Sequence, residues 1–301
     1  MVVVLSEDQF VDPNSINGRE QHLMAETART FGCRIYPLPV DLEEIGGAAN
    51  ALANVRTSDP FSPAVWIGYI PTSDRYAQVH AAALAKRVVL LNTPEEFQTA
   101  MEFDRFYPRL AELTPESITV SELHGLESAA EHLGFPIFVR GMIKSNKDQG
   151  PGGVFAADPQ QLHQIAAALI DRPARSRGKV ALRRMVRLRS VAIDPHGFPL
   201  GREYRLFVYR GQVLAYGFYW DEYKDSYALS ALDKRDLVGL AEEAARRVGT
   251  PYLSVDVGQL EDGSWTVIEV GDGQFSGLSQ VSVLELWSRL TESLTNPALG
   301  T

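Results

Sequence analysis

The chain has 301 residues, 45% of them hydrophobic and 22% charged, and a formal net charge of −9. That length allows two or three units with cores of their own, and the composition is that of a soluble globular protein. The acidic balance argues against broad, nonspecific nucleic-acid binding. Cys33 is the only cysteine, which excludes an internal disulfide and a thiolate metal cluster and fits a reducing, cytoplasmic setting.

The start, MVVVLSEDQF, lacks the basic segment and long apolar core of a signal peptide, and no apolar run approaches the roughly 20 residues of a membrane span. Over the first hundred residues, short apolar runs at 2–5, 34–37, 65–69 and 88–91 alternate with helical patterns near 18–31, 42–55 and 74–86. This rhythm predicts a small parallel sheet with helices packed on it. The segment has neither GxGxxG nor GxxxxGK[ST], so it carries no dinucleotide fingerprint and no Walker loop. Asn92-Thr93-Pro94-Glu95-Glu96 reads as a helix start, with Thr93 as cap, Pro94 in the first turn and acids after it. That helix is expected to run to Leu113, followed by a short strand at 117–120 and a helix at 122–133.

From Ile137 the texture becomes β-rich. Strands are expected at 137–141, 154–157, 180–186, 202–210 and 212–220, the last two joined by a tight turn at Arg210-Gly211-Gln212. Helices are expected at 159–171, 231–248 and 283–294, and residues 172–179 read as a mobile connector. The most informative stretch is LSVDVGQLEDGSWTVIEVGDGQFSGL, residues 253–278. It reads as strand, turn, strand and glycine-bracketed loop, with Asp256 on the first strand and Glu269 and Asp272 on the second. Carboxylates among apolar neighbours need a partner, and a cation is the natural one. Oxygen-only ligands suit magnesium, which usually completes a few protein carboxylates with phosphates. The hairpin thus points to a magnesium–nucleotide enzyme.

The order of basic strand end, glycine-rich turn, basic strand, acid–basic strand and carboxylate hairpin resembles the ATP-grasp superfamily, over roughly residues 92–278. The pairing of FVRG with GREYRLFV looks like the clade with two arginines and a lysine in its nucleotide site. The resemblance implies a small N-terminal parallel α/β unit (residues 1–92) followed by a two-subdomain α+β ATP-grasp fold. The small subdomain and its connector would occupy 93–179, and the C-terminal subdomain with the metal site 180–301. It implies ATP and Mg2+ as cofactors.

By this resemblance Arg140, where many members have lysine, and either Lys144 or Lys147 reach the ATP phosphates, with Lys144 the first choice. Gly150, Gly152 and Gly153 would let the backbone lie over them. Arg184, Met185 and Val186 would sit beside the adenine, Met185 and Val186 bonding it through their backbone, although Arg183 and Arg184 stand where an acid is usual. Glu203 would hold the ribose hydroxyls. Arg205 would face the terminal phosphate, and with Arg140 and Lys144 it makes up the expected catalytic set. Asp256, Glu269 and Asp272 would hold metal. Most members carry asparagine two residues after the glutamate; here it is Gly271, so Asp272 or a water would supply the missing oxygen.

Members of the superfamily mostly activate a carboxylate as an acyl phosphate that an amine or other nucleophile attacks, which implies small carboxylate and amine substrates. A kinase on the same fold and a non-catalytic nucleotide-binding module stand as alternatives. No membrane partner is expected, and the sequence leaves oligomerisation open. Residues 172–189 hold eight basic residues and no acid, which reads equally as a zone that steers an anionic ligand or as a solvated loop. Gln274 and Ser276 are candidates to orient the acceptor. Tyr219 and Trp220 read as a wall of the same cleft or, more simply, as a buried aromatic rim. The histidines show no metal spacing and there is no GxSxG elbow.

Overall fold

The computed structural model describes residues 1–146, 150–195, 197–225 and 227–296. The N-terminal part is a parallel sheet in the order β2-β1-β3-β4, formed by β1 (Val3–Ser6), β2 (Arg34–Pro37), β3 (Ser62–Ile67) and β4 (Val88–Leu90). Helices α1 (Ile16–Thr30), α2 (Ala48–Ala51) and α3 (Ser73–Ala85) pack on it. The α/β rhythm of the sequence is therefore realised, with one difference. The helix expected over 42–55 shrinks to the single turn of α2, because Gly46 and Gly47 both take positive φ, 76° and 104°, just before it.

The capping box expected at Thr93 is formed, with Thr93 and Glu96 bonding each other's backbone at the start of α4 (Pro94–Met101). The helix does not run on to Leu113. Glu102 is extended (φ −97°, ψ 117°) and a second helix, α5 (Phe103–Leu110), follows. The break lets the Phe103 amide donate to the Met142 carbonyl at 2.9 Å and buries Phe103 completely. Helical continuity is given up for a tertiary contact.

An antiparallel sheet in the order β5-β8-β6-β7 comes next, from β5 (Ser117–Val120), β6 (Ile137–Gly141), β7 (Phe155–Ala156) and β8 (Val180–Arg184). Helices α6 (Leu126–Leu133) and α7 (Pro159–Ile170) cover its outer face through Leu133, Leu162, Ala166 and Leu169. The expected connector 172–179 contains a one-turn helix, α8 (Pro173–Ser176), whose Arg175 side chain donates to the Ser145 carbonyl at 2.8 Å. Strand β8 pairs with β5 and β6. The expected boundary at 179/180 thus lies just before a strand of this sheet.

A small ribbon of β9 (Ser190–Ile193) and β10 (Pro199–Gly201) leads to the last sheet, β12-β11-β13-β14. It comprises β11 (Glu203–Tyr209), β12 (Gln212–Phe218), β13 (Tyr252–Gln259) and β14 (Trp265–Asp272), all antiparallel. Helix α9 (Ala231–Val248) starts at the Ser230 capping box and ends at Gly249 in the left-handed region, φ 75°. It buries Leu237, Ala241, Ala244 and Val248 against one face of the sheet. Helix α10 (Val283–Thr295) joins α1 to the other side through Trp287 and Leu290, so the N-terminal unit and the last sheet share a core. No helix among the described residues is long and apolar enough to cross a membrane. The mixture of one parallel and several antiparallel sheets agrees with the expected fold class.

Candidate active site

Residues on β13 and β14 meet side by side. Asp256 and Glu269 are register partners, so both carboxylates project from the same face of the ribbon. Like charges directly opposite are unfavourable unless cations separate them, and each acid has its own. The Arg205 guanidinium forms a two-pronged bond with Asp256, both contacts at 2.8 Å, and donates to the Gly277 carbonyl at 2.8 Å. Arg140, from the end of β6 on the opposite sheet, reaches Glu269 at 2.8 Å although it is itself only 3% exposed. A polar cleft of about 280 Å3 opens over these groups and is lined by Lys144, Arg205, Tyr219, Asp256 and Glu269.

Alternation on β11 puts Glu203 and Arg205 on one face. Arg205 pairs across to its register partner Asp256. Burial works against its charge, but Asp256 overrides that and holds the guanidinium above its ordinary range. Glu203 is 5% exposed and lines a second cavity, about 310 Å3. The walls of that cavity include Phe138, Phe155, Met185, Val186, Leu188 and Ile268, an apolar slot with Glu203 and Glu261 also in its lining. Met185 and Val186 are thus walls of this slot. Arg184 contributes to the same rim, but its guanidinium turns outward to Glu116, at 2.7 Å, and to the Leu133 carbonyl, at 2.7 Å.

Arg183 takes the inward place, because successive residues of a strand face opposite ways. It is 6% exposed and donates to the Ile268 carbonyl at 2.6 Å and to Ser117 Oγ at 3.2 Å. Its Nη2 is buried without a hydrogen-bond partner among the described residues. Burial and the like charge of Arg140 lower its pKa to about 9, against the pull of Glu269. Arg140 and Arg183 both lie over the Phe103 ring, at 5.1 and 5.3 Å from its centroid. Among the described residues Arg140 bonds Glu269 while Arg183 forms no ion pair, a surplus of positive charge that suits phosphate oxygens.

The sequence model of an ATP-grasp domain family, the third family of the clade named for two arginines and a lysine, matches residues 121–290. This chain belongs to that family. Among solved structures, the ATP-grasp protein resembles D-alanine–D-alanine ligase from Bacillus anthracis complexed with ATP, at 15% identity and a TM-score of 0.65, over 99% of this chain and 96% of that one. It also resembles a RimK domain ATP-grasp protein from Sphaerobacter thermophilus, at 16% identity and 0.59, over 97% and 100%. A third likeness is to the ATP-grasp ligase PsnB with minimal precursor, Mg and ADP, at 11% and 0.57, over 98% of each chain. No curated protein matches the sequence.

Within this ATP-grasp fold the expected residues separate into three groups. Lys144, Arg205, Asp256 and Glu269 line the polar cleft, with buried Arg140 bonded to Glu269, while Met185, Val186 and Glu203 line the apolar slot. Lys147 lies outside the described residues, and Lys144 lines the cleft. Asp272 stands apart. It is fully buried on the other face of β14, accepting bonds from Asn92 Nδ2 at 2.8 Å and from the Gln274 amide at 2.9 Å. Strand parity sends it away from Glu269, and the metal role expected for it does not fit this place. Burial raises its pKa to about 6 against those hydrogen bonds.

Gln274 is also spoken for. Its carboxamide bonds Trp66 N, Tyr76 Oη and Asp272 rather than facing an acceptor. Tyr219 walls the cleft, with Arg205 4.8 Å from its ring centroid, whereas Trp220 donates to the Gly201 carbonyl and packs beside Phe198.

Magnesium fits the donor set. Asp256 and Glu269 supply two carboxylates on one face, and among the described residues no further acid, histidine or cysteine joins them. Magnesium bound through one or two carboxylates completes its octahedron with water and phosphate. Sequence reasoning missed Arg183 as a cleft residue, although parity with Arg184 was a usable signal. It also missed Glu20, which reaches the cleft from α1 and has no local motif around it.

Proposed function

We propose that this protein is a ligase that uses ATP and magnesium to activate a substrate carboxylate as an acyl phosphate, which an amine then converts to an amide. The observation that carries this reading is the facing pair Asp256 and Glu269, each held against an arginine, with an apolar slot of base size to one side. The fold likeness to structures that hold ATP, or Mg and ADP, supports it.

The adenine would lie between Phe138, Met185 and Ile268, held at its edge by backbone of the 185–186 segment, with the ribose against Glu203. Arg140, Arg183 and Lys144 would fix the phosphate chain, and Arg205 would face the phosphoryl group in transfer. Magnesium on Asp256 and Glu269 would neutralise phosphate charge as the bond to the leaving ADP breaks. The chain's own residues position and screen charge, and no protein nucleophile is required. The substrate carboxylate oxygen attacks the γ-phosphorus, ADP leaves, and the amine displaces phosphate from the acyl carbon.

The test is ADP release with a panel of amino acids and short peptides. The reading requires release that depends on both substrate and magnesium, a condensed product, and loss of both in Glu269→Ala. A stable phosphorylated product would make the protein a kinase. Nucleotide binding without turnover under every substrate pair would make it a binding module.

A further inference from the structure

Beside the phosphate cleft lies a second polar cavity, about 180 Å3, between the N-terminal unit and the loop after β14. The two share Ile70, Lys144, Phe275, Ser276 and Gly277 in their walls, so they are neighbouring compartments of one cleft. The far wall belongs to α1, with Asn17, Glu20, Gln21 and Met24. We propose that this cavity binds the primary ammonium group of a small, amino-acid-sized substrate, with the Glu20 carboxylate as its counter-ion.

The acids nearby differ in how far they are committed. Glu7, just after β1, is saturated: Arg75 at 2.8 Å, the Trp66 indole at 3.2 Å and the Tyr69 amide at 2.9 Å take up its carboxylate. Glu20 accepts the Leu278 amide on Oε1, and its Oε2 has no such partner among the described residues. Arg205 is a nearby cation that acts on its charge, and a Cβ on Gly277 would lie 3.5 Å from both Glu20 oxygens and 3.6 Å from Arg205 Nη1. That guanidinium is already spanned by Asp256 and the Gly277 carbonyl. Lys144 stands at the mouth shared with the phosphate cleft.

A half-buried carboxylate with one oxygen open to a polar cavity is costly unless a charged donor completes it. The pKa of Glu20 agrees with this. Burial, with a further push from Asp221, raises it against the Leu278 amide and Arg205. An ammonium with three donors suits the open oxygen and the carboxamides of Asn17 and Gln21 around it. The volume admits a molecule of amino-acid size and excludes a folded chain.

The position beside the transfer site rests on the ligase reading, but ammonium recognition is testable without turnover. The full-length protein is titrated calorimetrically with glycine, L-alanine, D-alanine and β-alanine, and with the matching acids acetate and propionate, with and without magnesium and the non-hydrolysable analogue AMP-PNP. At least one amine should bind tenfold or more tightly than its des-amino counterpart. Glu20→Gln, which keeps an acceptor for the Leu278 amide and removes only the charge, should abolish that preference. AMP-PNP affinity, measured on the same sample, shows that the variant is folded. Equal binding of amine and des-amino acid, no amine binding at all, or an unchanged preference in Glu20→Gln overturns the proposal. Failure of AMP-PNP itself to bind would sink the ligase reading and leave the amine result standing.

Discussion

Glu269 and Asp272 lie three residues apart on β14 and serve opposite ends. Glu269, about one-third exposed, faces Arg140 across the open cleft. Asp272 is sealed against the N-terminal unit, where Asn92, Gln274 and the backbone surround it with donors. The same functional group is a candidate metal ligand on one face of the strand and an anchor between units on the other. Proximity in sequence put both in one site, whereas the two-residue period of a strand separates them. The two acids differ in their donors: an arginine at the open cleft for Glu269, neutral amides of a sealed interface for Asp272.

The sharpest way to break this comparison is to remove each acid in turn. Glu269→Ala is expected to lower substrate-dependent ADP release by on the order of 10²–10³-fold, measured in a coupled assay. Retention of most activity would remove Glu269 from the chemistry. Asp272→Ala should leave AMP-PNP affinity unchanged and instead cost about 3 kcal/mol of stability, because it strands the Asn92 and Gln274 donors in the interior. Urea unfolding reads this as a lower midpoint, and an unshifted midpoint would contradict the anchor role.

A smaller effect is the pH dependence of that anchor. The folded pKa of Asp272, about 6, lies above its ordinary value of 3.8. The folded state therefore binds this proton more tightly. The resulting stabilisation is complete below the lower value and is lost as pH rises through the upper one. Wild-type stability relative to the non-titrating Asp272→Asn should fall between about pH 4 and pH 7, in paired urea melts. A constant difference would mean that the carboxyl is not held in this environment. The smallest effect is expected in the apolar slot. Met185→Ala removes a wall but keeps the backbone groups, so AMP-PNP should bind less than about tenfold more weakly, a loss of up to about 1.4 kcal/mol. A larger loss would shift base recognition from backbone to side chain.

Much of this was legible because local chemistry and tertiary need agreed. Ser230 and Gly249 bracket α9, Thr93 and Glu96 start α4, and the alternation along β11 carries Glu203 and Arg205 to one face. The facing of Asp256 and Glu269 also follows from a hairpin read off the sequence. The failures occur where distant partners decide. The α4–α5 break at Glu102 seats Phe103 under two arginines. Arg183 and Arg184 are interchangeable as letters, and only the strand's packing sends one inward to Ile268 and the other outward to Glu116. Glu20 becomes part of the cleft only because α1 is laid against the loop after β14. The β9–β10 ribbon was not among the expected strands.

That loop, residues 273–281, has a mechanical consequence. Gln274 fastens it to β3 and α3, Gly277 to Arg205, Leu278 to α1, and the Gln280 amide to the Phe218 carbonyl of β12. One stretch of chain thus ties the floor under the carboxylates to the compartment proposed for the ammonium-bearing substrate. Those bonds tie the two to each other, whereas the arginines of the β5–β8 sheet reach the site from the opposite side.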